Sequence, residues 1–304
     1  MYILNDNQVD PFRDHSNSSI LAPVVKRPLK GVGRNDADLP VVGLEGTYAS
    51  RDGKPVFLGV VSENFKLVQM RDLTRAAETA IKNYFTPEQI QTTKIKDVSG
   101  RDGAYVERRY TIKAISEAVA YSDIDVGTTI AAELRIRTGY DGQTSTGCAS
   151  GTVDLVCDNG MVSWKSLDAI SRRHTIFAGD ISVFTPWLDS AMPGFQSKVN
   201  TMREWAAATA TWKQIEAAVE GLPQISERRA AAILSRCATE VRNRGYNAYA
   251  VSSAFTFYSS HNSSEFPVKK TGNDNVAVTL AARETEVSSW LASPAFASLT
   301  QIAA

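Results

Sequence analysis

The chain has 304 residues, of which 43% are hydrophobic and 22% are charged, as is ordinary for a globular protein. Its 33 basic and 33 acidic residues give a formal net charge of +0, which argues against a dedicated basic binder but permits a basic face opposite an acidic one. No apolar run reaches the roughly 18 residues needed to cross a membrane and the start lacks a signal-peptide pattern, so we expect a cytoplasmic protein.

Residues 1–39 are polar and interrupted by prolines, which predicts a flexible N-terminal arm. Between residues 18 and 34 this arm carries basic residues and no acid, a composition able to follow phosphate groups. The basic residues are Lys26, Arg27, Lys30 and Arg34.

Residues 40–175 predict an α+β core, an antiparallel β-meander with one packed helix. Turn signals recur between β-rich runs, and their glycines supply the positive φ of tight turns. These signals are Asp52-Gly53, Asp102-Gly103, Asp141-Gly142 and Asn159-Gly160. The predicted hairpins join 41–49 with 55–61, 92–98 with 104–115, and 129–138 with 146–156.

One helix is predicted to lie across these strands. A short strand over 65–69 leads to Asp72, which we expect to cap the helix, and Pro87 prevents its continuation. Between these points apolar residues recur at helical spacing on one face. They are Leu73, Ala76, Ala77, Ala80, Ile81 and Tyr84.

Residues 176–304 predict a mainly helical region packed on the core. Apolar spacing over 199–219 indicates one helix, Ser226 is placed to cap a second, and a third is predicted over 276–291. An aromatic cluster in this half is expected to belong to the core. It comprises Tyr246, Tyr249, Phe255, Phe257 and Tyr258.

Two segments of this chain resemble a known family. The first, over 58–73, reads Leu-Gly-Val-Val-Ser-Glu-Asn-Phe-Lys-Leu-Val-Gln-Met-Arg-Asp-Leu, and the second, over 153–161, reads Val-Asp-Leu-Val-Cys-Asp-Asn-Gly-Met. Together they resemble the phage/plasmid-like domain of unknown function 932 family, which pairs elements of these two types. The resemblance implies a phage or plasmid protein in the cytoplasm of a bacterial host, and it supplies no activity.

The familiar motifs of catalysis are missing from the sequence. There is no phosphate-binding loop, zinc-protease helix, serine-hydrolase elbow or Rossmann glycine set, so we expect no cofactor, no catalytic residues and no enzyme activity. The odd cysteine count, with Cys148, Cys157 and Cys237, favours neither a disulfide framework nor a zinc site. A two-metal nuclease centre needs carboxylates that converge, and nothing in their spacing requires it. The carboxylates in question are Glu63, Asp72, Asp97, Glu107, Asp123 and Asp125.

The positive signal for function is a set of basic residues interleaved with aromatic ones. Alternation along 104–115 places Tyr105 and Arg109 on the side of the strand opposite to Arg108, and the next hairpin adds a second basic row. Basic side chains on a sheet bind the phosphates of a single nucleic-acid strand, and neighbouring tyrosines stack on its bases. Such a surface binds without reading the base sequence. A solvated strand surface is the alternative interpretation. The predicted nucleic-acid-binding residues are Lys66, Arg71, Tyr105, Arg108, Arg109, Lys113, Arg135, Arg137, Lys165, Arg172 and Arg173.

The order of elements is also similar to that of phage single-strand annealing proteins of the Red-beta, RecT and ERF groups. This resemblance implies single-stranded DNA in a basic groove, rings or filaments of identical chains, and no need for a nucleotide. We therefore expect a non-catalytic homo-oligomer that binds single-stranded DNA, protecting or annealing it, in phage or plasmid replication and recombination. The alternative is a structural or protein-interaction protein that touches no nucleic acid.

Overall fold

The computed structural model describes residues 11–32, 38–121, 124–155, 159–162, 169–174, 186, 193–268 and 276–300. Two antiparallel sheets fill the N-terminal half of these residues, and helices fill most of the C-terminal half. The predicted α+β class is therefore confirmed.

The first sheet contains three strands in the order β1 (Val24–Val32), β2 (Asp38–Arg51) and β3 (Lys54–Ser62). β2 and β3 form the first predicted hairpin, because Asp52 and Gly53 adopt the positive φ values of 50° and 74° that a two-residue turn requires. β1 pairs with the other edge of β2, and the sequence did not predict this strand.

The structure corrects the predicted flexible arm within the part of residues 1–39 that it describes. Besides β1, this part forms α1 (Pro11–Asp14) and a 3-10 turn at Ser19–Leu21. Phe12 and Ile20 are 4% and 6% exposed and pack into the main apolar core. Isolated apolar residues among polar ones have neither helical nor strand periodicity, so the sequence pattern concealed their burial.

The second sheet contains six strands within the described residues, and five of them are neighbours in chain order. They are β4 (Thr93–Gly100), β5 (Tyr105–Tyr121), β6 (Ile124–Gly139), β7 (Thr146–Asp154) and β8 (Asn159–Val162), while β9 (Ala169–Arg172) lies beside β7. The pairing of β4 with β5 and of β6 with β7 confirms the second and third predicted hairpins. β5 and β6 form a long ladder at the centre of this sheet.

The Asn159-Gly160 pair does not close a hairpin. Both residues lie in β8, where Asn159 is opposite Asp154 and Gly160 is opposite Val153 of β7. The predicted tight turn at Gly160 is therefore corrected, because the reversal between these two strands comes before Asn159.

Helix α2 (Met70–Tyr84) packs on the second sheet and begins earlier than predicted. Gln69 is its N-cap residue, and Asp72 belongs to the first turn instead of capping the helix. The strand predicted just before the helix is not formed. Instead, the Gln69 side chain accepts a hydrogen bond from Val24 N at 3.0 Å and donates one to Val24 O at 2.8 Å, which ties the start of α2 to β1.

The apolar face of α2 is buried as its spacing predicted. Leu73, Ala77, Ala80 and Ile81 are at most 5% exposed, whereas Tyr84 at the end of the stripe is 50% exposed. The short helix α3 (Pro87–Gln91) follows, and a capping box at Thr86 starts it.

The described C-terminal residues form six helices. They are α4 (Pro193–Ala207), α5 (Trp212–Glu220), α6 (Glu227–Arg244), α7 (Ala248–Ser260), α8 (Val276–Leu291) and α9 (Pro294–Thr300). The single helix predicted over 199–219 is therefore two helices, because Thr211 forms a capping box with Gln214 that starts α5. The predicted starts of α6, after Ser226, and of α8 are confirmed.

Helix α7 has buried residues on every face, which is why no amphipathic spacing predicted it. Tyr249, Phe255 and Tyr258 are at most 5% exposed, so these members of the aromatic cluster belong to the core as expected, while Tyr246 is 50% exposed. A first apolar core joins the sheets with α2 and α4, and a second lies among α5 to α9.

Candidate anion-binding cleft

Strand β5 presents charged side chains to both faces of the second sheet. Because successive side chains of a strand alternate, Arg108 points toward α2, whereas Glu107 and Arg109 point to the other face. Arg135 of β6 shares that other face, since it is directly opposite Arg109 in the ladder. The sheet therefore has two charged faces, and they differ in what covers them.

Helix α8 covers one of these faces. Arg135 is 0% exposed, and its Nε donates to Glu133 Oε2 at 2.7 Å. Its Nη1 pairs with Glu284 of α8, which is also buried. A charge at this depth is retained only because carboxylates surround it.

The neighbouring residues of β5 complete this arrangement, which we call the sealed network: Glu107, Arg109, Glu133, Arg135 and Glu284. Glu107 accepts hydrogen bonds from Arg109 Nε and from the Tyr105 hydroxyl, both at 2.6 Å. Burial raises the pKa of Glu107, but the arginines, Arg109 first, outweigh it and hold the pKa below its ordinary value. Burial raises the pKa of Tyr105 well above its ordinary value, so its hydroxyl remains a donor.

These contacts correct the prediction that Tyr105 and Arg135 bind nucleic acid. The two side chains are 2% and 0% exposed, and no phosphate reaches them while α8 is in place. Arg109 is also committed to Glu107, with a side chain that is 16% exposed. Arg137 is partly buried on this face and lies opposite Glu107 in the ladder.

On the opposite face lies a cleft between α1, the 3-10 turn and α2. It encloses about 390 Å³. Phe12 and Leu21 form an apolar wall, and polar side chains, most of them from α2, line the rest. A volume of this size, with a few convergent polar groups, is typical of a ligand site.

Arg108 lies beneath the floor of this cleft. Its Nε and Nη2 donate to the two oxygens of the Asp97 carboxylate at 2.7 and 2.9 Å, which makes a bidentate pair. Its Nη1 donates to Glu78 Oε1 at 3.2 Å, and its Nη2 also donates to the His15 carbonyl at 2.9 Å. Since Arg108 is 0% exposed, its predicted role as a direct phosphate contact is corrected to that of a buried support.

Among the described residues that line the cleft, Glu78 is the one acid. Its Oε1 accepts long hydrogen bonds from Arg108 and from the Tyr110 hydroxyl, at 3.2 and 3.3 Å. Burial raises the pKa of Glu78 to about 7, against the smaller opposing effects of Arg108, Tyr110 and Lys82. The carboxyl group therefore exchanges its proton near neutral pH, a property that clusters at functional sites.

Three cations of α2, which we call the basic rim, surround Glu78: Arg71, Arg75 and Lys82. They recur at helical spacing on the side of α2 opposite to Leu73, and Glu78 lies in the same stripe. At 1.5 Å per residue the stripe spans about 16 Å, enough for more than one phosphate group. Arg71 lies in the first turn, where the helix dipole also favours an anion.

The remaining predicted residues lie apart from the cleft. Lys66 and Arg173 are exposed and near each other, because Lys66 N donates to His174 O at 3.4 Å. Lys113 is exposed on β5, and Arg172 is opposite Thr146 in the pairing of β9 with β7. Lys165 lies outside the described residues.

His174 fixes the segment that enters α2. Its ring stacks on Phe65 at 4.3 Å, and its Nδ1 donates to the Lys66 carbonyl at 2.7 Å. Burial lowers the pKa of His174, so the neutral ring accepts from Thr146 Oγ1 through Nε2 at 3.0 Å. These contacts give His174 a structural role, as a histidine whose ring nitrogens are both hydrogen-bonded.

Sequence reasoning found Arg71 but missed Glu78, Arg75 and Lys82. The sequence does contain a pattern that could have located them. The predicted apolar stripe defines one side of α2, and these charged residues recur at helical spacing on the other side of the helix. What the sequence did not show is that α1 closes one side of the cleft, because α1 falls in the segment predicted to be a flexible arm.

Within the described residues, no cluster of three or more His, Cys, Asp or Glu side chains could hold a metal ion. In the same part of the chain, no helix has both the length and the apolar character that crossing a membrane requires. Residues 57–279, well over half of the chain, match the model of a family described as Domain of unknown function (DUF932), which confirms the family predicted from the two sequence segments. No curated protein and no solved structure matches the chain.

Proposed function

We propose that this chain, which belongs to the domain of unknown function 932 (DUF932) family, binds single-stranded DNA without catalysis, along the basic rim of the α1–α2 cleft. The observation that carries the proposal is the open cleft of about 390 Å³ whose rim is formed by cations in one helical stripe. The buried arginines of the sheet lie outside this proposed binding surface.

The electrostatics of the cleft support an anionic ligand. Arg71 and Arg75 are exposed and lie about 6 Å apart along the helix axis, so a phosphate can contact both. Beneath them, the charge of Arg108 is matched by Asp97, so the rim decides the sign of the cleft. Cations without an array of base-reading side chains engage the backbone, which predicts affinity that depends little on sequence.

The open shape of the cleft favours a flexible single strand over a duplex. A strand without a partner can bend its backbone into a concave site and leave its bases outside. The resemblance in element order to phage annealing proteins points in the same direction. We also propose self-association and action in the cytoplasm of a bacterial host. With no phosphate-binding loop in the sequence, and no carboxylate spacing that requires a two-metal centre, the purified protein is expected neither to hydrolyse ATP nor to degrade DNA.

Fluorescence anisotropy with a labelled single strand of about 30 nucleotides tests the proposal. Affinity should fall by roughly 0.7 log units per decade of salt for each phosphate contact. The matched duplex should bind more weakly at equal salt. Failure to form a complex at low salt would remove the proposal.

A second candidate function, self-association, is favoured by the outer face of the three-stranded sheet. Val25, Tyr48 and Phe57 form one row across its strands, with the rings of Tyr48 and Phe57 at 5.5 Å. Val25, Phe57 and Val60 are 44%, 51% and 46% exposed, an apolar surface of the kind that marks interaction sites. In a two-fold interface, a second copy of the chain would pack its own row of these residues against this one.

Light scattering after size exclusion tests this candidate. The wild type should form a dimer or larger assembly that Phe57→Ser with Val60→Ser dissociates while the melting transition is retained. A wild-type monomer at every concentration would contradict it, and it would leave the DNA-binding proposal standing.

A further inference from the structure

The cleft holds one carboxyl group among its cations, and we propose that a phosphate group binds between Arg71, Arg75 and Lys82 together with uptake of one proton by Glu78. The inference rests on the proposed function of the same rim. It adds the ligand chemistry, a phosphate ester or free phosphate, and a regulation of its binding by pH.

The geometry around Glu78 leaves one of its oxygens available. Both hydrogen bonds that the described residues make to this carboxyl group, from Arg108 and Tyr110, end on Oε1. They are long, so they hold the ionised form weakly. A proton on Oε2 can therefore be donated to a phosphate oxygen in the cleft, which turns a repelling carboxylate into a hydrogen-bond donor.

The charges that face Glu78 show why its proton matters. Beneath the floor, the positive charge of Arg108 is matched by Asp97 of β4 through two hydrogen bonds. The rim contributes three positive charges. Ionisation of Glu78 therefore lowers the positive charge of this stripe of α2 by one, and protonation restores it.

Other groups around the cleft contribute less to its charge. Tyr110 of β5 stays protonated, because burial raises its pKa well above the ordinary value. Lys82 also faces the ring of Phe12, with Nζ 5.0 Å from the ring centroid. His15 follows α1 directly, and its backbone carbonyl accepts a hydrogen bond from Arg108.

Coupling between phosphate and proton is reciprocal. If protonated Glu78 favours the bound phosphate, then phosphate favours protonated Glu78 by the same factor. Since the carboxyl group exchanges its proton near neutral pH, affinity should rise as the pH falls from 8 to 6. We expect a change of about tenfold over this interval, within the usual range for coupled sites.

Anisotropy titrations of the full chain at pH 6 and pH 8, at constant ionic strength, test the inference. The wild type should bind a single strand about tenfold more tightly at pH 6. Glu78→Gln, which is permanently neutral, should bind tightly at both values. His15→Gln should retain the wild-type pH dependence, because the titrating group is Glu78.

The same variants separate the sources of the phosphate. A strand with a 5′-terminal phosphate is compared with one without it, and inorganic phosphate is added as a competitor. Competition by inorganic phosphate at low millimolar concentration, with preference for the terminal phosphate, would identify a monoester site. Equal binding of the two strands with weak competition would identify the diester backbone, and both results support a phosphate site.

Two results would contradict the inference while leaving the proposed function intact: equal wild-type affinity at the two pH values, or an unchanged pH dependence in Glu78→Gln. If the strand does not bind at all, the proposed function fails. The coupling is then tested by thermal melting in inorganic phosphate against chloride. A melting temperature raised by phosphate more at pH 6 than at pH 8 in the wild type, but equally in Glu78→Gln, would support it, and no such difference would overturn it.

Discussion

The two faces of strand β5 carry the same kinds of residue and use them differently. Glu107 and Arg109 belong to the sealed network under α8, where Arg135 is 0% exposed and contacts Glu284. Arg108, between them in the chain, also is 0% exposed, but its partner Glu78 reaches an open cleft. Both arginines are therefore structural, and only the carboxyl group of Glu78, on the face with the cleft, is a candidate for ligand binding.

The difference lies in solvent access. A fully buried ion pair is expensive to form and expensive to break, so it holds the sheet against α8 in one arrangement. A carboxyl group at the edge of a cleft is only partly removed from water: burial raises the pKa of Glu78 to about 7, and the group still exchanges its proton with solvent. A charged side chain can contact a ligand only where the fold leaves it accessible to solvent.

Removal of Arg135 should have the largest effect on stability. Arg135→Ala leaves Glu133 and Glu284 buried without their cation, which should lower the free energy of unfolding by about 3–5 kcal/mol. Urea denaturation measures the change. Arg203→Ala, which removes an ion pair with side chains 41% and 38% exposed, is the matched control and should cost less than about 1 kcal/mol. Equal costs for the two variants would contradict the account of a sealed network.

An arginine-to-alanine substitution on the open face should destabilise the protein less. Arg108→Ala removes the partner of Asp97 and Glu78, whose side chains are 15% and 19% exposed and can gain water in its place. We expect a loss of about 1–3 kcal/mol, measured in the same urea series. A loss as large as that of Arg135→Ala would show that the two faces are equally closed.

Glu78 should make stability depend on pH with a defined sign. Its pKa is about 7 in the folded protein and 4.5 ordinarily, so between these values the folded protein holds a proton that the unfolded chain has released. The contribution of the neutral carboxyl group is present below pH 4.5 and is lost as the pH rises through about 7.

The measurement is the free energy of unfolding of the wild type relative to Glu78→Gln. The free energy of unfolding of the wild type, relative to that of the variant, should fall by about 1–2 kcal/mol from pH 5 to pH 8. This magnitude is reduced to allow for the partial exposure of Glu78. A difference that is constant with pH, or that changes in the opposite direction, would show that Glu78 does not titrate in this range.

His174 should give a smaller dependence of the opposite sign. Burial lowers its pKa in the folded protein, so its stabilisation is present above the ordinary pKa of 6.5 and is lost as the pH falls. The free energy of unfolding of the wild type relative to His174→Gln should therefore fall by about 1 kcal/mol or less between pH 7 and pH 5. No change over that range would mean that the ring is protonated without cost.

Much of the fold could be predicted from local sequence. Asp-Gly turn signals and alternating apolar residues located three hairpins, and alternation also placed Arg108 on the face opposite to Glu107 and Arg109. What no local pattern contains is the contact between Arg135 and Glu284, two residues that lie 149 positions apart. Which charged face is sealed is a property of this long-range packing, so sequence reasoning assigned both faces to DNA.

The candidate site shows the same limit. The cations of α2 recur visibly at helical spacing, but the cleft exists only because Phe12 and Leu21 of the predicted arm pack beside the helix. Isolated apolar residues in a polar segment do not reveal that they are buried. The rim could therefore be predicted from the sequence, and the pocket behind it could not.

The most direct test of the central claim compares a rim variant with a matched variant elsewhere. Arg71→Ala with Arg75→Ala removes two exposed cations of the cleft, and Lys213→Ala with Arg228→Ala removes two exposed cations from α5 and α6. Anisotropy titrations of a labelled single strand against salt should show that the rim variant loses roughly 1.4 from the slope of log affinity against log salt, while the control retains the wild-type slope. Equal slopes and affinities for the two variants, with both proteins folded, would contradict the claim that the open face of the sheet binds DNA.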